Sequence, residues 1–229
     1  MKSNLVILSG AGISAESGIK TFRDADGLWE NYSIEEVATP RAWQNNPDLV
    51  QKFYNERRLN VISAKPNRAH HYFSSLEEHF HVQVITQNID DLHERAGSSH
   101  VLHLHGNIRY AKSSGPAKEK KYYPIEGHEL KMTDLCDDGF PLRPHVVWFG
   151  EEVPLLYEAA ELIKQADILI VVGTSLSVYP AANLIHYTKT SCQKILIDPK
   201  ADQMQVESLF TKINKSAVEA VEELKELLF

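Results

Sequence analysis

Short apolar runs, each closed at once by a polar residue or glycine, recur along the chain at 5–8, 82–86, 168–172 and 194–198. They are unbroken rather than alternating, which predicts strands buried on both faces. Elsewhere the period lengthens. Leu49, Val50, Phe53, Tyr54, Leu59 and Val61 predict a helix over 48–64, ended by Pro66. Asn67 suits the cap of a second helix over 67–80, and Pro154 the first turn of a third over 154–165. Ser216 or Asn214 opens a last helix that ends near Leu228.

Strands alternating with helices predict an α/β fold: a Rossmann-like, mostly parallel sheet with helices on both faces. Ligands of such sheets bind beyond the carboxyl ends of the strands. The loop after 5–8, then Gln87 to Asp90, Gly173 to Ser175, and Asp198 all fall there, so four segments converge on one crevice. Residues 109–138 break the pattern, being rich in Lys, Ser, Gly and Asp and poor in long apolar runs. They predict a small inserted lobe rather than a linker. The 229 residues are thus expected to form one unit. Its core comprises 1–30, 81–106 and 144–229, and its small lobe comes from insertions 31–80 and 107–143.

Composition narrows the class. A net charge of -7 argues against a nucleic-acid partner, which needs a basic face. Two cysteines, Cys136 and Cys192, are too few for a disulfide scaffold and point to the cytoplasm. The opening apolar stretch is too short for a signal peptide, and no run is long enough for a bilayer, so no membrane partner is expected. A monomer is favoured.

The loop Gly10-Ala11-Gly12-Ile13-Ser14 lets the backbone turn sharply and come close to a ligand. Its glycine spacing is not the G-x-G-x-x-G dinucleotide fingerprint, and glycine turns after strands often serve only the turn. Taken whole, however, residues 10–29 closely resemble the NAD-binding signature of sirtuins, the NAD-dependent protein-lysine deacylases. The same family's other motifs stand in the same order: Gln87-Asn88-Ile89-Asp90, His103-Leu104-His105-Gly106, the segment from Pro144 to Glu151, and Gly173-Thr174-Ser175.

That resemblance implies NAD as cofactor and acylated-lysine proteins or peptides as substrates. In the family's reaction the acyl oxygen of the modified lysine attacks C1′ of the nicotinamide ribose and nicotinamide leaves. A histidine then helps a ribose hydroxyl take over the acyl group, which ends on ADP-ribose. His105 matches that base, with a side chain whose ordinary pKa suits proton transfer at neutral pH. Asp90 is implied for the nicotinamide carboxamide, and Gln87 and Asn88 for the ribose and an ordered water; Asn88 and Asp90 join His105 as catalytic residues. The cofactor set implied is Gly10, Ala11, Gly12, Ile13, Glu16, Ser17, Gly18, Thr21, Phe22, Arg23, Trp29, Gln87, Asn88, Ile89, Asp90, His105, Gly173, Thr174 and Ser175. Where many relatives carry an asparagine three residues before a proline, this chain has Leu196, so Asp198 and the backbone around Ala217 are expected at the adenosine end.

Val146, Phe149, Gly150 and Glu151, with Val178, resemble the segments that hold an extended substrate as an added strand. Val146 and Phe149 line the lysine tunnel on this reading, or are ordinary core residues. Tyr54 and Arg57 share a helix face, and Tyr-x-x-Arg at this place resembles a class III-like, desuccinylase type of sirtuin; Ala38 matches the small residue that widens its acyl pocket. A charged hydrogen bond from Arg57 to a distal carboxylate would contribute about 1.5 to 3 kcal/mol. That amounts to roughly ten-fold to more than hundred-fold preference.

The small lobe departs from the family. Most sirtuins carry two cysteine pairs there, whereas 109–143 offers Cys136 alone, with His128 nearby. A closed structural zinc site needs four such ligands, so no structural zinc or other metal is expected. Tyr110, Tyr122, Tyr123, Pro124, Ile125, Leu130, Met132, Leu135 and Phe140 are the candidate apolar replacement. ADP-ribosyl transfer or NAD hydrolysis on the same fold is the alternative activity, and a non-catalytic NAD-binding module a third reading.

Overall fold

The computed structural model describes residues 2–20, 32–116, 121–206 and 209–229. In chain order the strands are β1 (Asn4–Ser9), β2 (His81–Thr86), β3 (Val101–His103), β4 (Gly106–Ser113), β5 (Tyr122–Pro124), β6 (Leu142–Val146), β7 (Ile168–Val172), β8 (Gln193–Ile197) and β9 (Phe210–Ile213). The helices are α1 (Gly12–Ala15), α2 (Ile34–Val37), α3 (Pro40–Asn45), α4 (Pro47–Ser63), α5 (Arg68–Ser75), α6 (Leu92–Arg95), α7 (Leu156–Gln165) and α8 (Val221–Leu228).

Six strands form a parallel sheet in the order β3-β2-β1-β7-β8-β9. The unbroken apolar runs are explained by burial on both faces. Leu5 and Ile7 of β1 face a cluster with α5 and α8, and Val6 and Leu8 face one with α7. Successive side chains of a strand point to opposite sides, so neither face tolerates a polar alternation.

Three helix boundaries differ from expectation: the last helix, expected from Asn214 or Ser216, begins only at Val221. The helix expected over 154–165 begins at Leu156, with Pro154 in the turn before it. The one expected over 67–80 is α5 followed by a 3-10 turn, Leu76–Glu78. Asn67 does cap α5, its side chain accepting from the amides of Ala69 and His70 at 3.0 and 3.3 Å. Ser216 opens the turn that leads into α8, accepting from the Glu219 amide at 3.3 Å.

The second sheet, antiparallel in the order β5-β4-β6, runs from Gly106 to Val146 and so extends past the expected insertion 107–143 at both ends. Its core is Ala111, Ile125, Leu130, Cys136 and Leu142, with Tyr123 packed against it. Tyr110, Tyr122, Leu135 and Phe140, expected in that core, are exposed; so small a sheet buries only the side chains on its inner face. Helices α2, α3 and α4 share a further cluster with Ile89, Ile108, Val146 and Trp148. Among the described residues, no helix is long and apolar enough to cross a membrane.

Candidate functional site

The chain leaves β1 for β2 and β3 on one side of the sheet and later returns to β7 on the other, so the strand order reverses between β1 and β7. Loops diverge at such a point and leave a crevice. The loops after β1 and β7 interlock there, with the Gly12 amide donating to the Gly173 carbonyl at 2.8 Å and the Gly10 amide to the Val172 carbonyl at 3.0 Å. A Cβ on Gly12 would lie 2.7 Å from the Gly173 Cα, and one on Gly173 only 2.4 Å from the Ile13 nitrogen. These glycines are required because two backbones touch.

Against this pair the loop after β2 sets a polar cluster. Ser14 Oγ donates to Asp90 Oδ2 at 3.0 Å, and Asn88 Nδ2 donates to Ser14 Oγ at 3.2 Å. The Leu92 amide donates to Asp90 Oδ1 at 3.2 Å, and Gln87 Nε2 to Thr174 Oγ1 at 3.1 Å. Burial pushes the Asp90 carboxyl up, against the lowering by its hydrogen bonds. An amide and a buried carboxyl side by side offer donors and acceptors together, a set that fits a carboxamide. Ser14, which ties them to α1, went unnoticed in the sequence; its signal is its place two residues after Gly12, within the first helical turn.

His105 follows β3, and its Nδ1 lies 3.0 Å from the Gln87 carbonyl. A carbonyl only accepts, so the proton sits on Nδ1 and the neutral ring keeps a lone pair on Nε2. Burial lowers its pKa, outweighing the opposing effect of that hydrogen bond. Gly106 next to it has φ +82°, and a Cβ there would lie 2.2 Å from the His145 carbonyl oxygen. Only glycine fits this turn.

Four expected cofactor residues, Thr21, Phe22, Arg23 and Trp29, lie outside the described residues. Ile89 is buried, its carbonyl accepting from the Ile108 amide at 2.8 Å. Ser17 Oγ accepts from Asn67 Nδ2 at 3.0 Å, and Glu16 Oε2 from the Val218 amide at 3.2 Å. Glu16 thereby joins α1 to the turn before α8. Asp198 is buried at the end of β8, where its Oδ1 accepts from the Lys200 amide at 2.9 Å, and Ala217 faces the apolar core.

On the other side, Arg57 on α4 lines a cavity of about 620 Å³ together with Ser17, Gly18, Ile19 and Lys20 of the glycine-loop segment. Tyr54, one turn earlier, is fully buried and its hydroxyl accepts from Trp148 Nε1 at 3.1 Å. Burial raises its pKa, so the phenol stays protonated. Ala38 is buried, and its carbonyl accepts from the Phe149 amide at 3.0 Å. Val146 is a core residue, whereas Phe149 and Gly150 are exposed and Val178 is half-buried. The Glu151 side chain turns inward to Arg143.

The profile of the family described as "Sir2 family" matches residues 10–180. A protein of Bacteroides thetaiotaomicron called NAD-dependent protein deacylase is 51% identical over 229 residues, covering 98% of this chain and 97% of that protein. A Helicobacter pylori protein of the same name is 52% identical over 221 residues, covering 96% and 95%. Among solved structures, a Sir2 homolog–NAD complex superposes with a TM-score of 0.85 at 41% identity, covering 98% of this chain and 88% of that one. Sir2Tm bound to a propionylated peptide gives 0.78 at 35%, covering 97% and 92%. Interlocked glycine loops and a matching profile over most of the crevice lead to one conclusion: the chain belongs to the Sir2 family.

Proposed function

We propose that this protein is an NAD-dependent protein-lysine deacylase, with His105 as general base and with succinyl- and malonyl-lysine among its substrates. The observation that carries the reading is the bond from His105 Nδ1–H to the Gln87 carbonyl. It orients the ring and leaves Nε2 as the proton acceptor beside the Asn88 and Asp90 loop. The relatives named as deacylases and the neighbour structures described with NAD, ADP-ribose and a propionylated peptide support NAD and acyl-lysine as the two substrates. Bound NAD supplies a ribose carbon with nicotinamide as its leaving group, and a ribose hydroxyl that receives the acyl group.

The chain's own residues then divide the work. Asn88 and Asp90, tied through Ser14, hold the carboxamide and ribose end. Gly10, Gly12 and Gly173 give the backbone its close approach. His105 Nε2 takes the proton of the attacking hydroxyl. Arg57, at the cavity wall, pairs with a distal carboxylate, and Tyr54, buried one turn earlier on α4 with its phenol protonated, completes the pair.

The test is mass spectrometry of acetyl-, succinyl- and malonyl-lysine peptides incubated with NAD. Wild type should yield nicotinamide and O-acyl-ADP-ribose, and His105→Ala should lose turnover by about 100-fold or more. Arg57→Met should lower desuccinylation at least about ten-fold more than deacetylation. Free ADP-ribose without acyl transfer would favour NAD hydrolysis, and equal losses for both peptides would remove the acidic-acyl assignment.

A further inference from the structure

An ion pair joins the small sheet to the segment 146–151. Arg143 of β6 is 7% exposed. Its guanidinium meets Glu151 twice, Nη1 to Oε1 at 2.7 Å and Nη2 to Oε2 at 3.0 Å. It also donates to the Val146 carbonyl at 2.9 Å, and its Cζ lies 3.2 Å from the centroid of the Trp148 indole. Glu151 Oε2 accepts from the Trp148 backbone amide at 2.8 Å. One carboxylate thus fixes the Trp148 backbone while the cation paired with it covers the ring. On the ring's other contacts, Trp43 packs at 5.9 Å between centroids and Nε1 donates to the Tyr54 hydroxyl.

For stability alone this arrangement is poorly explained, since a buried ion pair is often no better than an apolar pair of equal volume. A bidentate pair does fix rotation as well as distance. What it fixes here is an indole, which can only donate, so the Tyr54 oxygen is the acceptor and the phenol keeps its own proton as a donor.

We infer that Arg143 and Glu151 form a positioning clamp that holds the Trp148–Tyr54 wall in register and thereby sets the preference for carboxylate-bearing over neutral acyl groups. The inference rests on Tyr54 and Arg57 as the carboxylate-recognising pair. Arg143 and Glu151 are positioning residues: they act through Trp148.

The experiment uses the full chain as Arg143→Lys, which keeps the charge but loses the fork, and as Glu151→Gln, which keeps the shape. Folding is checked by circular dichroism, and one folded variant suffices. The first readout is solvent exchange of the Trp148 indole N–H by NMR, assigned with Trp148→Phe. The second is KM for succinyl- and acetyl-lysine peptides and for NAD. The clamp predicts exchange faster by about ten-fold, and KM for the succinyl peptide raised about ten-fold against about two-fold or less for NAD. Unchanged indole exchange overturns the clamp, and so does an equal rise in KM for both peptides, which marks general loosening. Arg57→Met, run in parallel, separates the two readings. If it shifts the succinyl-to-acetyl ratio while the clamp variants do not, the clamp fails alone. If it leaves the ratio flat, carboxylate recognition fails, and the selectivity assigned to the clamp falls with it.

Discussion

Two histidines two positions apart are driven in opposite directions. His103 presents Nδ1 to the Asn88 carbonyl at 3.0 Å and Nε2 to Glu94 Oε1 at 2.6 Å, two acceptors that favour the protonated ring. Burial lowers its pKa, but the bonds and charge of Glu94 overcome this and raise it above the ordinary histidine value of 6.5. His105 has one carbonyl and no such carboxylate contact at Nδ1, and burial leaves its pKa below 6.5. A base works deprotonated, so a lowered pKa extends its working form to more acidic solution. The acid limb of kcat/KM should therefore have its midpoint below pH 6.5, rising with pH, and nitrogen-detected NMR should find His105 neutral and His103 charged at that pH. A midpoint above 6.5 would contradict the assignment. The motif His-Leu-His-Gly was legible in the chain and its resemblance pointed to His105 as the base, but the opposite pulls on the two rings were not, because they depend on Glu94 and on the Gln87 and Asn88 carbonyls, which the fold brings close.

Helix α4 shows a similar gap between pattern and use. Its apolar positions predict its extent to within a residue at each end, yet its polar Gln51, Asn55 and Arg58, spaced i, i+4, i+7, do not form a solvated face. They face backbone instead. Gln51 donates to the Leu142 carbonyl at 3.0 Å. Asn55 both donates to the Leu130 carbonyl and accepts from the Leu130 amide, each at 3.0 Å. Arg58, fully buried, donates to the carbonyls of Ile108 and His128 at 2.7 Å each. Polar side chains here satisfy backbone groups of β4, of β6 and of the loop between β5 and β6, and hydropathy cannot separate that from solvation. The same helix thus carries Tyr54 toward Trp148, Arg57 toward the cavity, and Asn55 and Arg58 toward the small sheet. Asn55→Ala should remove three hydrogen bonds, two with Leu130 and one accepted from Arg58 Nη1 at 2.7 Å, and cost roughly 2 to 3 kcal/mol. For a chain of this size that lowers Tm by about 4 to 12 °C. Amide exchange at Leu130 should accelerate while β1 and β7 stay protected; a uniform change across the sheet would show that the staple is not local.

At the scale of the molecule, the six-stranded sheet gathers the crevice loops, and a second, smaller sheet follows β3 directly and packs against α4. The crevice was legible because a parallel sheet obliges its loops to gather at one edge, so Ser9, Thr86, Val172 and Ile197 each hand over to a loop on the same side. How the small sheet holds together was not, since exposed Tyr110, Leu135 and Phe140 look in sequence like the buried Ile125 and Leu130. The stapling geometry bears directly on metal. Cys136 Sγ lies 3.3 Å from Ser113 Oγ against the apolar cluster, and the His128 carbonyl is held by Arg58. Among the described residues, no three His, Cys, Asp or Glu side chains group as a metal site. We propose that the staple and the apolar cluster do the work of a structural zinc site, which elsewhere contributes about 10 to 16 kcal/mol of binding free energy. Prolonged treatment with a strong chelator should then leave Tm and deacylation unchanged, and elemental analysis of the purified protein should find well under one zinc per chain. Stoichiometric zinc whose removal lowers Tm would contradict this, because a site of that strength cannot be stripped from a small lobe without unfolding it.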